Sequence, residues 1–177
     1  FDDGYQNFFT EAFPVLQRHG FTATVFISPE YIGKPSSFSP DLDLLLMNRD
    51  QIKALTGKGF EFGSHSLRHP HLTDVSEDSA RREIEESKTR LQDLIGKAVE
   101  TFCYPYGRFN DPVVEMVKKA GYRAAVSLIP GNRNTCKDMF CLRRAVVPPG
   151  CRSEYFSLLL GPYFEVYNKL FQLPMTD

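Results

Sequence analysis

The amino-acid sequence predicts an α/β domain built on a barrel-like sheet of parallel strands. Three observations carry this. Short apolar runs, rich in β-branched and aromatic residues, alternate with longer stretches of helical periodicity, as repeated strand–helix units do. The apolar runs show little in–out alternation, the pattern of strands buried on both faces. Their spacing is regular and no Gly-x-Gly-x-x-Gly turn follows any of them, which favours a barrel-like sheet over a dinucleotide-binding one.

The first helix is predicted over residues 8–19, closed by Gly20 just past its end, where a left-handed residue is favoured. A buried strand follows at 22–27. Residues 29–40, with Gly33, Pro35 and three serines, read as a loop bordering a site. A helix at 48–58 opens on Asn48 with Gln51 three residues on, the spacing of a capping box. Residues 60–63 form the next strand. Ser76 caps a long helix that reaches Ile95 before Gly96, with Glu77 and Asp78 in its first turn. Strands at 101–104 and 124–127 flank a helix that Asp111 and Pro112 open in cap-then-proline order and Gly121 closes. A last strand spans 141–147. The final helical pattern, 153–171, is interrupted at Gly161-Pro162. It lacks the Lys/Arg-rich polar face of a membrane-surface helix and is expected to close the bottom of the barrel.

Composition removes several function classes. The 177 residues suffice for one domain with a sizeable core, and 42% hydrophobic with 24% charged residues is a globular balance. A net charge of −1, with no basic run, gives no long-range pull toward nucleic acid or acidic membranes. No apolar stretch reaches the roughly 18 residues of a membrane span. Cys103, Cys136, Cys141 and Cys151 show no C-x-x-C pairing, so free thiols are expected, with a Cys136–Cys141 bridge the alternative in an oxidising compartment. The chain opens on Phe1 without an initiator Met. It is read as one catalytic domain, residues 1–177, whose N-terminal strand is cut short.

Two clusters carry chemistry. Asp2 and Asp3, followed by Gly4, are adjacent carboxylates that are either solvated on a turn or given separate roles by a cation. In His65-Ser66-Leu67-Arg68-His69-Pro70-His71, three of the four histidines fall within seven residues, and His65 and His69 can present nitrogens to one point if the backbone makes a single turn. Together the clusters supply two imidazoles and a carboxylate, a ligand set that leaves positions open as a hydrolytic metal centre requires. The spare carboxylate is then a candidate general base. A third element, Tyr104-Pro105-Tyr106-Gly107, follows a strand. Its Pro and Gly fix a tight turn that can aim the Tyr106 N–H at a developing oxyanion.

These three motifs, in this order and each at a strand end, resemble the polysaccharide deacetylases, carbohydrate esterase family 4 with its NodB-homology domain. The resemblance spans essentially the whole chain. It implies a distorted (β/α) barrel of fewer than eight full strands with the site at the strands' C-terminal ends. It also implies a divalent metal, zinc or a similar ion, held by Asp3, His65 and His69. Asp2 would take a proton from metal-bound water attacking the acetamide of an N-acetylated glycan, while the Tyr106 N–H helps hold the oxyanion. Substrates of this class usually lie outside the cytoplasm, so a cell-envelope location is implied by analogy. Alternative functions are hydrolysis of a non-sugar amide on the same scaffold and a retired glycan-binding domain. The oligomeric state stays open.

Three departures qualify the resemblance. The family's third motif carries an Arg two residues before its Pro, where this chain has Cys103. Arg144 is expected to fill the vacant place, with Arg143 the alternative because strand alternation sends the two to opposite faces. No histidine follows His71, so the general acid is expected upstream of residue 1, with His71 as the substitute. The chain has no Trp for the acetyl pocket, and Leu128, Ile129 or Pro130 is a candidate lining. Tyr31, Phe38, Tyr106 and Phe109 are candidate sugar-stacking residues.

Overall fold

Five parallel strands, Thr24–Ile27 (β1), Glu61–Ser64 (β2), Thr101–Cys103 (β3), Ala124–Pro130 (β4) and Leu142–Arg144 (β5), form one sheet in sequential order. The structure, a computed structural model, describes residues 1–38, 44–148, 150–162 and 164. The strands are registered Thr24↔Glu61 through Ile27↔Ser64, then Ser64↔Phe102, then Thr101↔Ala124 through Cys103↔Val126. Phe1 extends the ladder beyond β1: its ammonium donates to Thr24 O and its carbonyl accepts the Phe26 N–H, each at 2.8 Å. Asp2 therefore leaves the sheet at the same end as the residues that follow β2 and β3. The architecture is α/β with a parallel, barrel-like sheet, as the sequence predicts.

Burial on both faces explains the apolar runs. Val25, Ile27, Phe62 and Phe102 are buried, and Ile52 and Leu55 of α2 (Arg49–Leu55) and Ile84 and Leu91 of α3 (Glu77–Ile95) complete the core with them. Gly63 is demanded by this packing: a Cβ there would lie 2.7 Å from Thr101 Oγ1 and overlap the edge of the Phe26 ring. The expected capping box forms, with Asn48 Oδ1 accepting from Gln51 N and Gln51 Oε1 from Asn48 N, both at 2.9 Å. Ser76 caps α3, which ends on left-handed Gly96.

The departures have local causes. The helix expected over 8–19 is a π-helical turn, Phe8–Ala12, followed by α1, Phe13–Arg18. Pro14 supplies no N–H and crowds the preceding carbonyls, and the wide turn absorbs the misfit. Helix α4, Asp111–Lys119, is capped by Asn110, whose Oδ1 accepts the Val113 N–H at 3.1 Å, and not by Asp111. Strand β4 runs on to Pro130 through an irregularity after Val126, where Ser127 Oγ donates to Leu142 O and accepts from Ile129 N in place of regular ladder bonds. Strand β5 is shorter than the expected 141–147.

Helix α5, Ser153–Leu160, holds only the first part of the expected 153–171 helix. Residues 163 and 165–177 lie outside those described. Asn132 Nδ2 donates to Leu159 O at 3.1 Å and to Gly161 O at 2.7 Å. Since Asn132 follows the C-terminal end of β4, the last turn of α5 lies on the side where the strands end, and the rest of the helix expected to close the bottom of the barrel lies outside the described residues. All four cysteines are free, so no Cys136–Cys141 bridge forms. Among the described residues no helix is long and apolar enough to cross a membrane.

Candidate active site

Asp2 and Asp3 are neighbours in sequence, but a tight turn gives them different surroundings. Gly4 N donates to Asp2 O at 2.9 Å, and Asp3 takes a left-handed φ of 67°. The Asp2 carboxylate meets Arg144 of β5 in two parallel bonds, Nη1–Oδ1 at 2.7 Å and Nη2–Oδ2 at 2.8 Å. The guanidinium is aimed by two further contacts, Nε to Ser127 O at 2.9 Å and Nη2 to Cys103 Sγ at 3.4 Å. The small Cys103 side chain leaves room for it. Arg143 points elsewhere: its backbone pairs with the Asn134 side chain and its own side chain lies against Gly131. Burial alone would raise the Asp2 pKa, but the Arg144 hydrogen bonds and the guanidinium charge bring it down to about 2. Burial, reinforced by the Asp2 charge, holds the Cys103 thiol protonated, well above its usual range.

Asp3 faces the histidines. His65 Nδ1 donates to Cys103 O at 2.7 Å, which leaves Nε2 as the nitrogen carrying the lone pair. Burial is the main cause that lowers the His65 pKa and keeps the ring neutral. The His69 N–H donates to Ser66 Oγ at 3.0 Å, and Ser66 and His69 both have left-handed φ, 61° and 59°. Three donor atoms then converge. Asp3 Oδ1 is 3.4 Å from His65 Nε2 and 3.3 Å from His69 Nε2, and the two nitrogens are 3.2 Å apart. Ligands about 2.0–2.1 Å from a tetrahedral zinc ion stand about 3.3 Å from one another. The triangle fits that spacing. Asp3 Oδ1 is buried with no hydrogen-bond partner among the described residues, so a cation answers an otherwise uncompensated cost.

The third motif sits beside this triangle. Gly107 N donates to Tyr104 O and Arg108 N to Pro105 O, and Tyr106 between them has φ 55°. The Tyr106 N–H hydrogen-bonds to no other described residue. Leu128 packs beneath the turn, where any Cβ on Gly107 would be 2.6 Å from Leu128 Cβ, and Ile129 is 38% exposed. A line of rings crosses the site: Tyr31 on Phe38 at 5.2 Å, Phe38 stacked on His69 at 4.1 Å, Tyr106 edge-on to His69 at 4.5 Å, and His71 stacked on Tyr106 at 4.0 Å. Phe109 is not among them. It stacks on Tyr104 and packs against the core, so its expected role in sugar stacking is withdrawn.

Two site-supporting residues escaped sequence reasoning. Ser127 aims Arg144 through its carbonyl, which no residue type signals. Glu83, buried on the inner face of α3, was signalled by a carboxylate in line with the apolar stripe of Ala80, Ile84 and Leu91.

The profile of the polysaccharide deacetylase family matches residues 1–125. The chain belongs to the polysaccharide deacetylase family. YxkH of Bacillus subtilis (strain 168), named as a candidate polysaccharide deacetylase, is 28% identical over 165 residues, covering 93% of this chain and 54% of that relative. The poly-beta-1,6-N-acetyl-D-glucosamine N-deacetylase of Staphylococcus aureus (strain MSSA476) is 27% identical over 137 residues, 72% of this chain and 46% of that one. The chain thus spans about half the length of the curated relatives it matches. Among solved structures, the Streptococcus pyogenes deacetylase PplD in complex with acetate superimposes with a TM-score of 0.80 at 23% identity, covering 92% of this chain and 69% of that one. That likeness is one of fold, and it agrees with the family's barrel-like α/β architecture.

Proposed function

We propose that residues 1–177 are one catalytic domain that removes N-acetyl groups from an N-acetylated polysaccharide or oligosaccharide by metal-dependent hydrolysis. The observation that carries this is the triangle of Asp3 Oδ1, His65 Nε2 and His69 Nε2, with edges of 3.2–3.4 Å, beside a second, separately held carboxylate. Those three residues would hold a divalent ion, and their N/O donor set suits zinc best. Such an ion supplies Lewis-acid polarisation of the amide carbonyl and acidifies water.

The chain's own groups account for the remaining work. Asp2 stays ionised at neutral pH because Arg144 grips both its oxygens, and each oxygen keeps a lone pair to accept a proton from the attacking water. The Tyr106 N–H, without a hydrogen-bond partner among the described residues, donates to the oxygen that gains charge as the carbonyl becomes tetrahedral. Bond cleavage yields acetate and a free amino sugar, the amine gaining the proton that Asp2 removed from water. Tyr31, Phe38 and Tyr106 line the approach with apolar ring surface suited to a pyranose. The S. aureus relative, named for poly-beta-1,6-N-acetyl-D-glucosamine, makes that polymer the first substrate to try.

The test is acetate release from N-acetylglucosamine oligomers of β-1,4 and β-1,6 linkage by the full-length protein with zinc supplied. Release is expected to vanish with a chelator and to fall by about 10³-fold in Asp2→Asn, which retains zinc. A zinc-loaded protein that releases no acetate from any glycan, yet hydrolyses a simple acyl amide, would overturn the glycan reading.

A further inference from the structure

Helix α3 is amphipathic, and its inner face carries Ala80, Ile84, Leu91, Leu94 and Ile95. Two polar residues share that face, Glu83 at 4% exposure and Ser87 at 0%. A buried carboxylate is costly unless it is bonded, and an apolar residue would pack there at least as well. Glu83 is therefore where fold stability alone would not put it. Its Oε2 accepts the backbone N–H of Arg68 at 2.7 Å, while its contact with the Arg68 guanidinium is longer, 3.3 Å, and reaches a side chain that is 57% exposed. One helical turn on, Ser87 Oγ is 2.6 Å from Ser64 Oγ.

The registration is regular. Ser64 immediately precedes His65, and Arg68 immediately precedes His69. Two residues four apart on a rigid helix thus tie down the two positions that precede the histidines, themselves four apart. The turn between them needs such a hold because Ser66 and His69 both occupy the left-handed region, which costs a non-glycine residue free energy in the absence of outside support. On the other flank, Glu30 N donates to Leu67 O at 3.2 Å.

We propose that Glu83 is a positioning residue for the metal centre: by accepting the Arg68 N–H it fixes the backbone that sets the His69 Nε2 position, while Ser87 holds Ser64, the residue before His65, through its side-chain hydroxyl. This rests on the reading that Asp3, His65 and His69 hold the metal. The Glu83 contact that matters is to the main chain, so the Arg68 side chain is dispensable.

The test measures zinc affinity by chelator competition, and the visible absorption spectrum of the cobalt-substituted protein, for wild type and four variants. Glu83→Asp shortens the reach by one methylene while keeping the charge. It is expected to weaken zinc binding about 10–100-fold, the usual cost of losing a group that orients a ligand, and to shift the cobalt bands. Ser87→Ala is expected to weaken it about fivefold, as loss of one neutral hydrogen bond does. Glu83→Gln keeps an oxygen acceptor for Arg68 N–H, and Arg68→Ala keeps the N–H itself, so both should bind zinc within about threefold of wild type. Wild-type zinc affinity and an unshifted cobalt spectrum in folded Glu83→Asp or Ser87→Ala would overturn the inference while leaving the metal site standing. So would an Arg68→Ala protein as impaired as Glu83→Asp. A wild-type protein that binds no zinc would overturn the metal reading itself.

Discussion

Among the described residues, four non-glycine residues have a left-handed backbone, Asp3, Ser66, His69 and Tyr106, and all four belong to the candidate site. Each such conformation costs of order 1 kcal/mol or more and persists only where surrounding bonds enforce it. Asp3 and His69 carry donor atoms of the triangle, Ser66 ties the turn between the histidines, and Tyr106 carries the free N–H. Strain is thus concentrated where side chains must be aimed against ordinary backbone preference. The same scale decides between the two arginines of β5. Arg144 meets Asp2 bidentately, and lysine, a point charge, cannot supply both bonds. Arg144→Lys is therefore expected to lower kcat by about 10–100-fold with zinc affinity unchanged, through misorientation of the base. Arg143→Ala should stay within about twofold, since surface substitutions rarely matter. Steady-state rates with zinc saturating check both.

Among the elements, the strands and capped helices were legible because local chemistry determines them. Asn48 and Gln51 cap one another as their spacing requires, and Ser76 and Gly96 bound α3. The π-helical turn before Pro14 was not legible, since it answers a clash between one residue's ring and carbonyls a turn away. The irregular β4–β5 pairing was hidden for a similar reason: it depends on Ser127 replacing ladder bonds with its side chain. Motif order exposed Asp2, Asp3, His65 and His69 as candidates. The partner of Asp2 could only be narrowed to two neighbours, because register decides which face each presents. Glu83 stayed unseen because, among the many carboxylates of α3, only its place in line with Ala80, Ile84 and Leu91 sets it apart. Gly63 gives the element scale its own prediction. Gly63→Ala should destabilise the protein by about 3 kcal/mol, near the upper end for overpacking a core, because a Cβ would press on both Phe26 and Thr101. Thermal unfolding of the metal-free protein reads this directly.

At the scale of the whole molecule, the opening segment that pairs alongside β1 shares a salt bridge with the last strand. The Asp2–Arg144 pair spans 142 residues of sequence, and the donor triangle stands beside it. Binding at that point stabilises the fold as a whole by mass action. Zinc at about 100 times its dissociation constant adds about 2.7 kcal/mol, which for a chain of this size raises Tm by roughly 5–10 °C. The shift should disappear with a chelator and in His65→Ala, and calorimetric scans with and without zinc measure it.

The spacing of these residues along the chain also sets an order of events during synthesis. The three donor atoms of the triangle come from the first 69 residues, whereas the guanidinium that orients Asp2 arrives with residue 144. A nascent chain that has folded through α3 and β3 already holds its donors and the groups that aim them, but it gains an aimed base only when β5 completes the sheet. In the proposed scheme, metal capture and catalytic competence are thereby separated in time, so that a half-made molecule can be loaded without being active.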